Sequence, residues 1–271
     1  MTEPGTLRLN QSQIQQWMKC PEQHRRRWVD GDIIPPAGPM IRGTAVHVGA
    51  EVNFKQKVDS KIDLPAGDII EAAVQTVQSR IRTEGIWMNE EEQTQGQAKV
   101  TNGIEQEVIT LAGLYARAVA PLYQPIAVEE EMTFKVDGLE GVEVGGRIDT
   151  ISDRQEVVDL KTYSKKANEA EMEADPQPTM YALLKLLKTG TAAKSINMEI
   201  LVNKKEPEHQ RIQLTKRKPD FIALLEQVKA IALAVRAGIA PGAYGQKGAW
   251  WCSKKQCGYW RTCRFVPEHR R

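Results

Sequence analysis

What this chain lacks removes several classes of protein at the outset. No apolar run approaches the roughly 20 residues that a membrane-spanning helix needs. The opening MTEPGTLRLNQSQ has no basic segment followed by an apolar one, so no secretory leader is expected and the default is a cytoplasmic protein. Net charge is only +2, so bulk electrostatics announces no polyanion partner. No G-x-x-x-x-G-K-[ST] phosphate loop occurs, so an ATP-driven motor is not expected. Cysteine is scarce: four in all, Cys20, Cys252, Cys257 and Cys263, with none between the first two. In a cytosolic chain, clustered cysteines bind metal more often than they form disulfides.

What is present is ordinary for a soluble globular protein. The 271 residues are 41% hydrophobic and 27% charged, enough to bury a real core. Charge is clustered along the chain. Basic groups gather at Arg25–Arg27, Lys204–Lys205, Lys216–Lys218, Lys254–Lys255, Arg261 with Arg264, and Arg270–Arg271. Acidic runs stand at Glu90–Glu92 and Glu129–Glu131. Such runs are most often solvated faces.

Periodicity predicts helices over Leu9–Trp28, capped by Asn10 or Ser12, and over Arg42–Asn53, Asp68–Thr83 and Ile104–Ala120. The stretches Gly31–Pro39 and Asp59–Pro65 are expected as loops, and Glu84–Lys99 as a polar, mobile segment. Strands follow at Ile126–Val136, Val142–Ser152 and Glu156–Tyr163, then a helix over Asp175–Thr189. Ile196–Val202 and Gln210–Leu214 alternate like a hairpin, and Pro219–Ala237 is a helix stopped by Gly238. The tail Ala243–Phe265 changes character, rich in Trp, Tyr, Cys and Lys.

The stretch GGRIDTISDRQEVVDLKTYSKK, residues 145–166, carries the chemistry. Residues two apart on a strand share a face, so Asp159 and Lys161 project together while Leu160 turns to the core. A three-residue loop at Asp153–Gln155 would set Asp149 opposite Asp159; a two-residue loop would separate them unless a bulge intervened. Two carboxylates and an ammonium at a sheet edge suit a divalent-metal hydrolytic site. The carboxylates are hard oxygen ligands, and a bound ion lowers the pKa of its water.

The motifs Gly146-Arg147-Ile148-Asp149 and Asp159-Leu160-Lys161-Thr162 resemble the PD-(D/E)XK nuclease superfamily, and within it the RecB-like exonucleases. The resemblance implies Asp149, Asp159 and Lys161 as catalytic groups. It adds His47 of R-G-T-A-V-H, which with Asp149, Asp159 and the Leu160 carbonyl would hold Mg²⁺ or Mn²⁺. It also adds Gln177 and Tyr181, four apart on the following helix, as groups that orient the site or touch DNA. A glutamate on the preceding strand completes the pattern. Glu129, Glu130 and Glu131 all qualify, with alternation favouring Glu130 through Val128, Met132 and Phe134.

Cys20, with the C-x4-C-x5-C of Cys252, Cys257 and Cys263, resembles the iron–sulfur subgroup of these nucleases, the AddB and CRISPR-associated exonuclease type. The resemblance implies a [4Fe–4S] cluster as a structural staple between the chain ends. Four thiolates also suit zinc, and the x4 gap departs from the usual x2 spacing. Around it, Lys254, Lys255, Trp260 and Arg261 combine cations with an aromatic face suited to single-stranded nucleic acid, and Arg147 and Tyr181 join them as candidate contacts.

The expectation is therefore one restriction-endonuclease-like α/β domain over residues 1–271, a mixed sheet flanked by helices. A helical insertion is placed near 59–121, the nuclease core near 40–58 and 122–240, and a cluster subdomain near 9–30 and 241–271. The expected activity is metal-dependent DNA exonuclease action on single strands or duplex ends, in recombination, repair, phage DNA processing or CRISPR adaptation. A helicase or recombination protein is the expected partner for any unwinding. The competing class is an inactive nucleic-acid-binding accessory subunit with a structural zinc or iron–sulfur site.

Overall fold

In the computed structural model, residues 6–269 are described; the basic pair Arg270–Arg271 lies outside them. The sheet has six strands: β1 (Leu7–Asn10), β2 (Pro125–Lys135), β3 (Val142–Ser152), β4 (Val157–Tyr163), β5 (Ile196–Val202) and β6 (Glu208–Leu214). Its order is β1-β3-β4-β5-β6, with β2 along the other edge of β3. β1 runs parallel to β3 and β4 parallel to β5; the remaining neighbours are antiparallel. The sheet is thus mixed, as expected.

Helices cover both faces. One core joins the sheet to α1 (Gln11–Lys19), α8 (Pro176–Thr189) and α9 (Lys218–Arg236) through Ile14, Ile148, Met180, Leu184, Val228 and Ile231. A second core joins α3 (Gly38–Ser60), α4 (Ala66–Glu84) and α6 (Gln97–Ala118) to the sheet residues Val158, Leu160 and Leu201. Burial of such apolar stripes against the sheet is what holds the layers together. The helical segment expected as an insertion is therefore packed as a full layer of the fold.

Three local expectations change. The strand β1 occupies the residues expected to begin a helix, and Asn10 then caps α1 in a reciprocal box with Gln13. Short helices α5 (Glu90–Gln95) and α7 (Glu169–Ala174) form where polar segments gave no apolar period, and the helix expected to Trp28 is divided at Cys20 into α1, α2 (Pro21–His24) and a π-helical turn over Arg25–Val29. Asn89 and Asn168 cap α5 and α7 from their side chains. No helix among the described residues is long and apolar enough to cross a membrane.

Candidate active site

The site lies at a break in the sheet. β2 pairs with β3 along nearly its whole length, so only the opposite edge of β3 is left for other strands. On that edge β1 takes Val142–Gly145 and β4 takes Thr150–Ile151. Residues 146–149 between them carry no ladder partner on that edge. A cleft of about 560 Å³ opens there, lined by Arg8, Ser12, Glu131, Arg147, Asp149 and Tyr181. Gly146 faces α8 so closely that a Cβ would stand 2.6 Å from Leu184 Cδ1, which accounts for a glycine at this point.

The β3–β4 turn decides the register. The Ser152 amide donates to the Glu156 carbonyl and the Gln155 amide to the Ser152 carbonyl, both at 2.9 Å. Gln155 closes the turn in the left-handed region, φ 63°. This is the three-residue loop, and the Thr150–Val158 pair it sets puts Asp149 next in register opposite Asp159. Past that pair the strands part, and the Leu160 amide faces Asp149 Oδ2 at 3.5 Å instead of a ladder carbonyl. Leu160 itself is buried in the α3 core, as expected.

The structure brings His47, Asp149, Asp159 and Lys161 together. His47 Nδ1, from α3, stands 3.3 Å from Asp149 Oδ2. Lys161 Nζ stands 3.0 Å from Asp159 Oδ1 and 2.9 Å from Oδ2; Oδ2 is buried and receives no hydrogen bond in good geometry. Burial raises Asp159 to about 6, with Asp149 adding repulsion against the pull of Lys161. Burial opposes ionisation of Asp149 as well, yet the facing His47 and Lys161 hold it below the usual carboxylate range. His47 and Lys161 are both raised: burial works against their charge, and the aspartates outweigh it.

A third carboxylate belongs here, and it is Glu129 rather than the favoured Glu130. Glu129 shares the pocket of His47 and Asp149. Its pKa rises to about 7, through burial first and the neighbouring Asp149 second. Arg147 reaches it as an ion pair at 2.5 Å. Its backbone is left-handed, φ 55°, inside a strand, and that breaks the simple alternation that pointed to Glu130. Glu130 turns to Lys188 and Glu131 to Arg8. The usable signal was cross-strand: Glu129 is the β2 residue between those paired with Thr150 and Ile148, level with Asp149.

α8 supplies the next side. Asp175 caps it, and Gln177 and Tyr181, one turn apart, are both buried. Gln177 Nε2 donates to the Tyr181 hydroxyl at 2.7 Å. Burial first, and then Asp149 and Asp159, push the Tyr181 hydroxyl well above its ordinary pKa, so it stays protonated.

The chain ends meet away from the sheet. Cys252 interacts electrostatically with Cys257, Cys20 and Cys263, and burial first, then these thiols, push it up to about 11. Gln23 Nε2 donates to Cys257 Sγ at 3.1 Å. All four thiols are free of disulfides. The tail cations are already engaged: Lys254 and Arg261 pair with Glu90 and Lys255 with Glu91. Trp260 stacks obliquely on Tyr244, ring centres 6.0 Å apart. The acidic run expected as solvated thus meets the basic tail. Among the described residues no three His, Cys, Asp or Glu side chains stand arranged to hold a metal ion; at the sheet, His47 and Lys161 face the aspartates directly.

A mixed sheet covered by helices on both faces, with acidic residues and a lysine at a break in its centre, defines a restriction-endonuclease-like fold. The chain matches the model of the PD-(D/E)XK nuclease superfamily over residues 8–264 and belongs to that superfamily. It is a nuclease by family. No curated protein matches it. Among solved structures it is similar to one described as a "putative exonuclease" from Eubacterium rectale. The two are 13% identical with a TM-score of 0.57, over 93% of this chain and 86% of that one, a likeness of fold. The structure of SSO0001 is also 13% identical, over 80% of this chain and 96% of that one, but its TM-score of 0.35 carries no argument.

Proposed function

We propose that the protein is a metal-dependent DNA exonuclease of the RecB-like group, acting on single strands or strand ends. The observation that supports this reading is the proximity of His47, Asp149, Asp159 and Lys161 at the opening in the sheet. Asp149, Asp159 and the Leu160 carbonyl would supply the hard oxygen donors that suit Mg²⁺ or Mn²⁺, which members of the superfamily generally use, with His47 as a nitrogen donor beside them. Asp159 Oδ2, buried and met only by the Lys161 ammonium, is the atom such an ion would share. The ion, when bound, supplies a water of lowered pKa and a counter-charge for the phosphate.

The chain's own residues do the rest. Lys161, kept as an ammonium by the two aspartates, orients the attacking water and offsets charge on the phosphate oxygens. His47 positions Asp149. Tyr181, braced by Gln177, presents a protonated hydroxyl on the cleft side of Asp149. Arg147 lines the same cleft as a phosphate contact.

The cysteines are read as a [4Fe–4S] site, with zinc as the other group their chemistry accepts. The four thiols, one near the start of the chain and three near its end, lie within electrostatic reach of one another, and that proximity is what supports this reading. Its role is a staple that joins the segments near 9–30 and 241–271, holding the aromatic, basic tail.

The decisive experiment is digestion of end-labelled single-stranded and duplex DNA with Mg²⁺ or Mn²⁺ and with chelator. Asp159→Ala and Lys161→Ala are expected to lower cleavage by about 10³-fold or more while the circular dichroism spectrum stays unchanged. Retained hydrolysis in either purified variant sinks the assignment.

A further inference from the structure

We infer that Arg8 is a phosphate-binding residue of the substrate groove, seating a backbone phosphate of the nucleic-acid strand beside the one being cut. This rests on the nuclease reading above and adds a residue that no motif singles out.

Arg8 sits on β1, the strand that forms the far wall of the opening in β3. The same cleft is lined by Arg8 and Ser12 and by Arg147, Asp149 and Tyr181, and Arg8 stands level with Glu143, six residues before Asp149 on β3. A strand whose scissile phosphate lies at Asp149 therefore runs on toward Arg8. The guanidinium is seated by the backbone beneath it. The Cβ position of Gly145 lies 3.4 Å from both Nε and Nη2 of Arg8, so the planar group lies over the β3 backbone within van der Waals reach.

Its present partner shows what it is built to bind. Nη2 donates to Glu131 Oε1 at 2.7 Å, and the two side chains are 42% and 68% exposed. A carboxylate and a phosphate offer the same charge sign and the same paired oxygens to a guanidinium fork. An exposed pair of this kind exchanges readily with a competing anion. Arg147 repeats the arrangement with Glu129. Each arginine of the groove is thus held by a glutamate of β2, and at Arg8, whose partner is the exposed one, an entering phosphodiester takes the place of Glu131.

The test measures binding of a fluorescently labelled oligothymidylate by anisotropy in chelator, with KM and kcat measured separately in Mg²⁺. Arg8→Ala is expected to weaken binding and raise KM by about tenfold, with kcat within about twofold of the parent. Its plot of log affinity against log salt should be shallower by about 0.7, one phosphate contact on a single strand. Arg8→Lys should recover part of the affinity, and Glu131→Gln should tighten binding by about threefold. An Arg8→Ala protein that keeps the parental affinity, KM and salt slope, while the parent cuts DNA, overturns the inference and leaves the nuclease reading standing. A parent that neither binds nor cuts overturns both. Should Arg8→Ala fail to fold, Glu131→Gln carries the test, and an unchanged affinity there overturns the inference.

Discussion

Lys185 Nζ donates to the side-chain Oε1 of Gln155 at 3.0 Å, tying helix α8 to the turn of the hairpin that carries both aspartates. Lys185 is fully buried and also donates to the Thr191 carbonyl at 3.1 Å. Lys185→Met fills the space but leaves these acceptors unpaired, which costs roughly 1–3 kcal/mol. Urea unfolding should show that loss, and cleavage should fall with it because the Asp149–Asp159 register depends on the turn. Unchanged cleavage in a destabilised Lys185→Met protein would show that the turn holds its register alone.

Glu129 makes a pH-dependent contribution with a definite sign. Its folded pKa is about 7 against an ordinary 4.5, because burial and Asp149 disfavour the charged form. The folded protein therefore holds a proton that the unfolded chain releases, and stability is lost as pH rises from about 4.5 through about 7. Glu129→Gln should raise the metal-free thermal midpoint at pH 8 by the equivalent of about 1–3 kcal/mol and change little at pH 4.5. Thermal melts at the two pH values decide this; an equal gain at both would remove the ionisation of Glu129 as the cause.

The pairing of the tail with α5 occupies three of the cations expected to meet nucleic acid. Glu90→Gln with Glu91→Gln frees Lys254, Lys255 and Arg261. Affinity for single-stranded DNA should rise and its salt dependence steepen, since more cations then displace counterions. The thermal midpoint should hold, because exposed pairs contribute little to stability. Anisotropy titrations at several salt concentrations read this directly; a weaker or unchanged affinity would place the nucleic acid elsewhere.

The four thiols predict a coloured protein. Purified without oxygen, it should be brown and carry iron and acid-labile sulfide, and Cys257→Ser should bleach it. Metal analysis that finds stoichiometric zinc in a colourless protein refutes the iron–sulfur part and keeps a four-cysteine site. Loss of the group should lower the thermal midpoint more than it lowers kcat, since its place is in the staple.

Much of the site was legible because its signals are local. Asp159 and Lys161 share a face by strand periodicity, and Gln177 and Tyr181 by helical spacing. Whether Asp149 faced them turned on the loop length, and Gln155 hid it: a left-handed residue that is not glycine leaves little trace in a sequence. Among the three qualifying glutamates, alternation favoured Glu130 over Glu129 for a related reason: the Glu129 backbone is left-handed within a strand. Strand β1 was illegible because LRLN is four residues long and its partners, Val142–Gly145, lie far along the chain. Helices α5 and α7 are too polar for any apolar period and declare themselves only through their capping asparagines.

The meeting of the two chain ends has a consequence for biosynthesis. Gln23 reaches Cys257, the Trp251 indole donates to the Lys19 carbonyl, and the Tyr259 hydroxyl donates to the Asp32 carbonyl. All three contacts close loops of more than 225 residues, the most expensive kind to form early. During translation the segment around Cys20 leaves the ribosome first and waits, thiol exposed, while every strand of the sheet is made. A group held by all four thiols, as proposed above, could be completed only after the tail has emerged, so its assembly would fall at the end of synthesis.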